Sequence, residues 1–292
     1  MKGIILAGGA GTRLYPATFP VSKILLPIYD RPMIYYPLAT LMQAGIRDIL
    51  VITNVADHEN FRKTLGDGSQ FGVNIQYDIQ KVQRGIADAF IIAEEFIGND
   101  RVALVLGDNI FHGEDIQDIL EESVAVNDGA VVFGYRVPDP ERFGVVGFDE
   151  NMNATSLEEK PKSPKSNYAV VGLYFYGPEV CGIAESLEPS ARGELEVTDL
   201  NRVYLDKGQL SVRLFGDDVN WIDAGTFSSL LEASIFVKNE EARMGRKILC
   251  PETIAYRKGL ITREELMSWL DKNKRNEYFN AIRAEIEGSA EQ

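Results

Sequence analysis

The residues best suited to chemistry in this chain lie within its first thirty positions. A short apolar run over residues 3–7 opens into the glycine-rich stretch Gly8–Arg13, and Lys23 follows ten residues after Arg13. Glycines let backbone N–H groups approach a polyphosphate closely, and α/β proteins place such loops at the end of a strand. Arg13 and Lys23 supply two cations for the charge of a triphosphate. The stretch therefore predicts a nucleotide site.

Two familiar phosphate-binding motifs are excluded by the same residues. The stretch does not end in Gly-Lys-Ser/Thr, so it is not a P-loop, and Leu14 stands where the third glycine of G-x-G-x-x-G belongs. The missing glycine and the two cations also argue against a nicotinamide-dependent dehydrogenase. We therefore expect a nucleotide site of a different type.

Two aspartates are candidate ligands for Mg²⁺. Asp108 ends the apolar run RVALVLGD, and Asp223 lies in NWIDAGT. Buried strands open at their carboxyl ends onto a ligand crevice, and Mg²⁺ is usually held by one or two carboxylates with phosphates and water. Taken singly, such aspartates are more often turn or cap residues. Their combination with the glycine loop favours a metal site, whereas the presence of only two histidines argues against a histidine-built one.

Four further residues are candidates for binding a sugar phosphate. Glu159 and Lys160 place an acceptor beside a cation, which suits a sugar hydroxyl and a phosphate. Arg192, next to a glycine, could hold a second phosphate, and Trp221 could stack on a sugar ring. Each has an ordinary structural alternative, namely a solvated charge pair, a surface cation or a core tryptophan.

Apolar runs alternate with helical patterns from the N-terminus, which is typical of a mainly parallel sheet with helices on both faces. Strands are predicted over residues 3–8, 46–54, 74–80, 101–108, 129–137, 144–149, 168–177 and 209–215, and helices over 32–44, 57–65 and 86–97. Residues 226–245 predict one long helix, and a capping box at Thr262 precedes another. We expect a catalytic core over residues 1–225, with nucleotide- and sugar-binding parts, and a helical region over 226–292.

Composition limits the class of protein. The formal net charge of −14 over 292 residues argues against a general nucleic-acid binder. No apolar run approaches the roughly 20 residues that span a bilayer, and the first apolar run is too short for a signal-peptide core. Cys181 and Cys250 form no spaced pair and are expected to be buried thiols in a reducing compartment. These features predict a cytoplasmic protein without membrane or nucleic-acid partners.

Nine motifs spread along the whole chain resemble the glucose-1-phosphate thymidylyltransferases: LAGGAGTRLYPAT, VSKILLP, PMIYYPL, LGDGSQFG, ALVLGDNIF, FGVV, SLEEKP, ARGELEVTD and WIDAGT. The resemblance implies an α/β fold with a Rossmann-like nucleotidyltransferase core, a mixed central sheet and a C-terminal helical appendage. It also implies the conversion of dTTP and glucose 1-phosphate to dTDP-glucose and pyrophosphate, with Mg²⁺ as cofactor. It further implies a homotetramer built as a dimer of dimers. The product is implied to serve the synthesis of dTDP-rhamnose for surface polysaccharide.

The resemblance implies a role for each matching position. The nucleotide and its phosphates would be lined by Leu6, Gly8, Gly9, Gly11, Thr12 and Arg13, and the thymine base would contact Gln80 and Gly85. The catalytic set would be Arg13, Lys23, Asp108 and Asp223, with the two aspartates binding Mg²⁺. The sugar would be surrounded by Asn109, Gly144, Glu159, Val170, Gly172 and Trp221, and its phosphate would be held by Lys160 and Arg192.

The chain also departs from the family pattern. Residues 80–87 read QKVQRGIA where the family usually has Q-P-S-P-D-G-L-A, so the use of UTP or of another hexose 1-phosphate is an alternative. Residues 216–219 replace a stretch that usually carries an arginine, which argues against feedback inhibition through a second nucleotide site. A non-catalytic nucleotide sensor on the same fold is a third hypothesis, and the joint presence of the two cations and two aspartates argues against it.

Overall fold

The computed structural model describes residues 1–126, 129–273 and 276–288, and its centre is a nine-stranded sheet. In chain order the strands are β1 (Lys2–Ala7), β2 (Pro27–Ile28), β3 (Arg31–Pro32), β4 (Asp48–Thr53), β5 (Asn74–Ile79), β6 (Val102–Leu106), β7 (Asn109–His112), β8 (Ala130–Arg136), β9 (Gly144–Phe148), β10 (Ala154–Glu159), β11 (Tyr168–Tyr176), β12 (Leu210–Leu214) and β13 (Asn220–Asp223). The main sheet runs β10-β9-β11-β6-β1-β4-β5, and β8 pairs with both β11 and β12.

Helices pack against the sheet and form the C-terminal part of the chain. They are α1 (Tyr35–Gln43), α2 (His58–Leu65), α3 (Asp88–Ile92), α4 (Glu94–Ile97), α5 (Ile116–Ala125), α6 (Val180–Glu185), α7 (Val197–Asp206), α8 (Phe227–Met244), α9 (Pro251–Arg257), α10 (Arg263–Lys272) and α11 (Glu277–Gly288). Capping boxes at Thr226 and Thr262 begin α8 and α10. Within the described residues, no helix combines the length and the apolar character needed to cross a membrane.

The sheet is mixed because β11 reverses its direction. β6, β1, β4 and β5 are parallel neighbours, whereas β11 runs antiparallel to β6, β8 and β9. In the register of β1, Leu6 lies opposite Leu106 of β6 and Ala7 lies opposite Thr53 of β4. The carboxyl ends of these parallel strands therefore meet at one edge, where α/β sheets bind ligands.

Two apolar clusters pack on the two faces of the sheet. Consecutive residues of β1 divide between them: Ile4 belongs to one cluster, Ile5 belongs to the other, and both side chains are fully buried. Helices α3, α4, α6 and α7 contribute to the cluster of Ile4, while α1 and the helices α8 to α11 contribute to that of Ile5. A strand buried on both faces reads as a continuous apolar run, which is why the parallel strands are visible in the sequence.

All eight predicted strands are confirmed, with bounds within two residues of the structure. The predicted helix over 86–97 divides into α3 and α4 at Ala93, whose backbone leaves the helical region. Strands β2, β3, β7 and β13 were not predicted because they are short, and β10 was not predicted because it carries polar residues. The described residues after 226 contain helices and no strand, and the division into two domains at residue 225 stays a prediction.

Candidate active site

The glycine-rich loop leaves the carboxyl end of β1. Gly11 adopts a left-handed conformation with φ of 63° and begins a single 3₁₀ turn over Thr12–Leu14. A Cβ atom on Gly11 would lie 3.2 Å from Cγ2 of Thr18 and 3.3 Å from Cβ of Lys23, so both conformation and space favour glycine there. Leu14 is fully buried and anchors the turn, while Thr12 and Arg13 are exposed at the sheet edge.

Lys23 returns to this loop from a second 3₁₀ turn. Ser22 caps the turn by accepting a hydrogen bond from the backbone of Ile24, which is buried. The Lys23 chain passes beneath the loop, with its Cε 3.9 Å from the position that a Cβ on Gly9 would take. Its Nζ forms an ion pair and hydrogen bond with Oδ2 of Asp108. The two cations predicted from the sequence therefore lie at one edge of the sheet.

The small antiparallel sheet of β7 and β13 brings the two aspartates together. Asp223 lies opposite Asn109 in its register, and the N–H of Ala224 donates to the carbonyl oxygen of Asp108 over 2.9 Å. A Cβ on Gly225 would lie 2.9 Å from Oδ1 of Asp223 and 3.3 Å from Nη2 of Arg13. Residues 115 positions apart thus become neighbours, with Arg13 beside them.

The two aspartates differ in their affinity for protons. Burial raises the pKa of Asp108, but the ion pair with Lys23 outweighs burial and holds that pKa below its ordinary value. At Asp223, burial and then the negative charge of Asp108 raise the pKa above its ordinary value. Two partly buried carboxylates that repel each other are stabilised by a cation placed between them.

These carboxylates fit Mg²⁺ better than a metal held by protein ligands alone. Within residues 1–126, 129–273 and 276–288, no group of three or more His, Cys, Asp or Glu side chains could enclose a metal ion. Mg²⁺ keeps several waters and takes oxygen ligands from substrate phosphates, so one or two carboxylates are sufficient. Asp108 and Asp223 supply this donor set.

Of the two residues predicted to contact the base, Gln80 lies beside the glycine loop and Gly85 accepts a hydrogen bond from the Gln80 side chain. Gln80 follows β5, is 6% exposed, and lies so close to Gly8 that a Cβ there would be 2.9 Å from its Oε1. Gly85 has φ of 102°, and a Cβ would collide with the backbone of Leu195, including its nitrogen at 2.8 Å. Leu6 is half-buried, and its carbonyl oxygen accepts a hydrogen bond from Gly107 over 3.0 Å.

Asn109 is hydrogen-bonded to Asp108 and to two other residues that are predicted to surround the sugar. Its side-chain Nδ2 donates to Oδ1 of Asp108 over 3.0 Å. Its Oδ1 accepts hydrogen bonds from the Nε1 of Trp221 over 2.7 Å and from the N–H of Gly172 over 3.1 Å. A Cβ on Gly172 would lie 2.7 Å from that same oxygen, which explains the glycine. Val170 lies half-buried in the same strand, β11.

Glu159 joins the rest of the sugar-side residues. Its Oε2 accepts a hydrogen bond from Thr198 over 2.7 Å and lies 3.3 Å from where a Cβ on Gly144 would be. Its Oε1 lies 3.2 Å from Nη2 of Arg192 and 3.5 Å from Nζ of Lys160. The carboxylate of Glu159 and the cationic groups of Lys160 and Arg192 therefore lie close together beside β9 and β10.

Arg192 is held by its side chain, whereas Lys160 is held by its backbone. The Arg192 guanidinium makes its shortest contact, 2.7 Å, with Glu196, and this hydrogen bond raises the pKa of Arg192 above its ordinary value. Lys160 adopts φ of 45°, a left-handed conformation that is uncommon outside glycine, and donates its N–H to Phe143. Functional sites are where such conformations concentrate.

From the sequence, no role is predicted for Thr198 or Asp88, although both contact residues of the predicted site. Thr198 donates to Glu159, and Asp88 accepts a hydrogen bond from Gln80. Thr198 lies within the motif ARGELEVTD and Asp88 directly follows residues 80–87, but neither contact is visible in the sequence, because each joins residues of separate elements. An acidic residue in the first turn of a helix, as at Asp88, is a signal that the sequence did carry.

One of two cavities among the described residues reaches the predicted site. One of about 590 Å³ reaches Trp221 and Asp223. The larger, of about 680 Å³ among the described residues, lies away from the aspartate pair, between β7, α8 and α9, and is lined by His112, Arg243 and Arg257. Asp218, from the stretch without the usual arginine, also lines the larger cavity. The absence of feedback inhibition stays a prediction.

Known proteins match this chain over most of its length. The family model described as nucleotidyl transferase matches residues 2–240. The glucose-1-phosphate thymidylyltransferase of Neisseria gonorrhoeae is 58% identical over 266 residues, which are 91% of this chain and 92% of the relative. That of Mycobacterium tuberculosis strain H37Rv is 53% identical over 267 residues, again 91% and 92% of the two chains.

Solved structures share the fold. A Bacillus anthracis protein assigned as a glucose-1-phosphate thymidylyltransferase and crystallised with sucrose has a TM-score of 0.75 and 46% identity, covering 81% of this chain and 94% of its own. A UDP-glucose pyrophosphorylase bound to UDP-glucose has a TM-score of 0.72 at 24% identity, covering 82% of this chain and 98% of its own. At this level of identity the likeness supports the fold only. The chain therefore belongs to the glucose-1-phosphate thymidylyltransferases of the nucleotidyl transferase family.

Proposed function

We propose that this protein transfers a thymidylyl group from dTTP to α-D-glucose 1-phosphate, yielding dTDP-glucose and pyrophosphate. The observation that carries the proposal is the convergence of Arg13, Lys23, Asp108 and Asp223 at one sheet edge. The identity of 58% with a glucose-1-phosphate thymidylyltransferase supports the choice of substrates.

The reaction is a direct in-line displacement. A phosphate oxygen of glucose 1-phosphate attacks the α-phosphorus of dTTP, a new P–O bond forms, and the bond to the β-phosphate breaks with its electron pair leaving on pyrophosphate. A sugar phosphate is already ionised at neutral pH, so no strong general base is needed. Lys23 holds the α-phosphate and Arg13 holds the departing phosphates, and catalysis rests on their alignment and charge.

Asp108 and Asp223 hold Mg²⁺ in this proposal, supported by their adjacency and mutual repulsion. When bound, Mg²⁺ neutralises phosphate charge and orients phosphate oxygens. Asn109, through its hydrogen bond to Asp108, keeps that carboxylate directed into the site.

The sugar phosphate binds across β7, β9, β10 and β11. Glu159 accepts hydrogen bonds from sugar hydroxyls, Trp221 packs against the ring, and Gly144, Val170 and Gly172 leave space for it. Lys160 and Arg192 bind the phosphate, which replaces part of the contact that Arg192 makes with Glu196. Arg192 already makes two hydrogen bonds with Glu196, and a phosphate competes with that carboxylate because it offers the same paired geometry with a larger negative charge.

We further propose a cytoplasmic homotetramer, a dimer of dimers, in dTDP-rhamnose supply for polysaccharide synthesis. The assembly is supported by an apolar stripe on α8, where Phe227, Leu231 and Ile235 are 51%, 62% and 49% exposed at helical spacing. Exposed apolar patches of this kind mark association surfaces.

A panel of nucleoside triphosphates and hexose 1-phosphates, measured by pyrophosphate release, tests the proposal. We expect dTTP with glucose 1-phosphate to give the highest kcat/KM. Activity lost with EDTA and restored by Mg²⁺ would exclude the non-catalytic sensor. A preference for UTP or another hexose 1-phosphate would instead favour the alternative that residues 81–84 suggest, and no release with any pair would contradict the proposal.

Gly8→Ala should raise the KM for dTTP about 3- to 10-fold, because a Cβ 2.9 Å from Oε1 of Gln80 displaces the amide and weakens one hydrogen bond to the base. The KM for glucose 1-phosphate should not change. Steady-state kinetics with each substrate varied in turn would check this. Gly182→Ala is the matched control, since nothing lies within 4 Å of a Cβ there; an equal effect of both variants would contradict the expectation.

Arg192→Ala should raise the KM for glucose 1-phosphate about 10- to 100-fold, the cost of one charge-assisted contact. The KM for dTTP should stay within about threefold, because Arg192 lies on the sugar side. Arg243→Ala provides the comparison, since Arg243 forms a similar exposed pair with Glu240 on α8. A rise confined to the KM for dTTP would place Arg192 in the nucleotide site instead.

A further inference from the structure

The side-chain amide of Gln80 is held by two neighbours at the end of β5. Its Nε2 lies 3.0 Å from Oδ2 of Asp88 and 3.2 Å from the carbonyl oxygen of Gly85. Gln80 is 6% exposed and Asp88 is 2% exposed. Because their hydrogen bond is buried, water cannot replace either partner without cost. These two neighbours therefore decide which way the amide faces.

Both neighbours accept hydrogen bonds and donate none. A carbonyl oxygen carries no proton, and an ionised carboxylate offers only lone pairs. The guanidinium of Arg84 donates a hydrogen bond over 2.5 Å to Oδ1, the other oxygen of Asp88. Reversing the amide would bring Oε1 of Gln80 against two acceptors in a buried place and lose both hydrogen bonds. The Nε2 group must therefore face Asp88.

The Oε1 atom of Gln80 consequently faces the nucleotide loop. A Cβ placed on Gly8 would lie 2.9 Å from it. In the part of the chain that the structure describes, no protein group donates a hydrogen bond to Oε1. The nucleotide side of the site thus presents one oriented acceptor beside the glycine loop.

We propose that Asp88 is a positioning residue that makes the site select bases carrying an N–H donor at ring position 3. Thymine and uracil carry this donor, whereas cytosine has a bare acceptor nitrogen there. The inference rests on the proposed function, in which Gln80 contacts the base. A base with an acceptor nitrogen at position 3 faces the fixed oxygen of Gln80 and cannot donate a hydrogen bond to it. A buried polar group left unpaired in this way allows a site to discriminate strongly between two substrates.

Asp88→Asn is the decisive variant. The asparagine side chain has one acceptor oxygen, whereas Arg84 and Gln80 each donate a hydrogen bond and need an acceptor. When Arg84 takes that oxygen, the new NH₂ group faces Gln80 and favours the reversed amide. We expect the ratio of kcat/KM for dTTP to kcat/KM for dCTP, both measured with glucose 1-phosphate, to fall at least about tenfold.

A double variant separates positioning from damage to the fold. With Arg84→Ala added to Asp88→Asn, the asparagine oxygen is free for Gln80, and we expect the ratio to return to within about threefold of the unmodified protein. Arg84→Ala alone is the matched control, because Asp88 and Gly85 still present only acceptors to Gln80, so the ratio should be kept. A merely structural role would lower turnover of both nucleotides equally and show no rescue.

A modified substrate tests the inference without any substitution. In the triphosphate of N3-methylthymidine the N3–H is replaced, and we expect its kcat/KM with the unmodified protein to fall at least about 10²-fold below that of dTTP. Equal use of this nucleotide and dTTP would overturn the inference, as would an unchanged dTTP-to-dCTP ratio in folded Asp88→Asn protein. If the unmodified protein uses neither dTTP nor UTP, the proposed function fails first and the inference falls with it.

Discussion

Replacing Lys23 by alanine should lower kcat/KM for dTTP and glucose 1-phosphate at least about 10²–10³-fold, the usual cost of removing one charged group at a reacting centre. Lys23 lies beneath the glycine loop and pairs with Asp108, so it is placed to bind the α-phosphate on which charge develops. Its loss also removes the partner that keeps the Asp108 carboxylate ionised. Pyrophosphate release under saturating and limiting dTTP would measure both kcat and kcat/KM.

Lys63→Ala is the matched control for this loss, since Lys63 is an exposed lysine on α2 away from the sheet edge. It should keep turnover within about threefold, as expected for the substitution of an exposed side chain. Near-normal turnover in Lys23→Ala would contradict the mechanism.

Asp108→Ala should be at least as harmful, with a loss of about 10²–10³-fold or more in kcat. The substitution removes one of the two proposed Mg²⁺ ligands and leaves Lys23 in a mostly buried place without its carboxylate. Raising the Mg²⁺ concentration should not restore the rate, because the remaining carboxylate, Asp223, cannot supply both contacts. Kinetics over a range of Mg²⁺ concentrations would measure this.

The control for Asp108→Ala is Asp118→Ala, which removes an exposed aspartate from α5. Circular dichroism of both variants would show that they are folded. Full recovery of Asp108→Ala at high Mg²⁺ would mean that Asp108 only strengthens metal binding and does not take part in the transition state.

The parts of the site that are contiguous in sequence were predictable from the residues. The glycines of the loop and the cations at 13 and 23 lie close along the chain, and their order alone indicates a polyphosphate site. The parallel strands were equally visible, since a strand buried on both faces needs an uninterrupted apolar run. The helix caps at Thr226 and Thr262 follow from local hydrogen bonds that residue type determines.

What the sequence could not predict depends on pairings between distant segments. Strands β7 and β13 are four residues each and carry polar side chains, so neither is visible as a strand, yet their pairing places Asp223 beside Asp108. The contact of Asp88 with Gln80 is equally hidden, because it needs the turn between β5 and α3. The roles assigned by resemblance stay predictions until the variants are measured.

The central claim is that a phosphate oxygen of glucose 1-phosphate forms the new bond to the α-phosphorus of dTTP. The most direct test uses glucose 1-phosphate with ¹⁸O in its three non-bridging phosphate oxygens, incubated with dTTP, Mg²⁺ and the unmodified protein. Mass spectrometry of the products should find all three labelled oxygens in dTDP-glucose and none in pyrophosphate, because the attacking oxygen becomes the new bridge. Label in pyrophosphate, or no dTDP-glucose at all, would contradict the account.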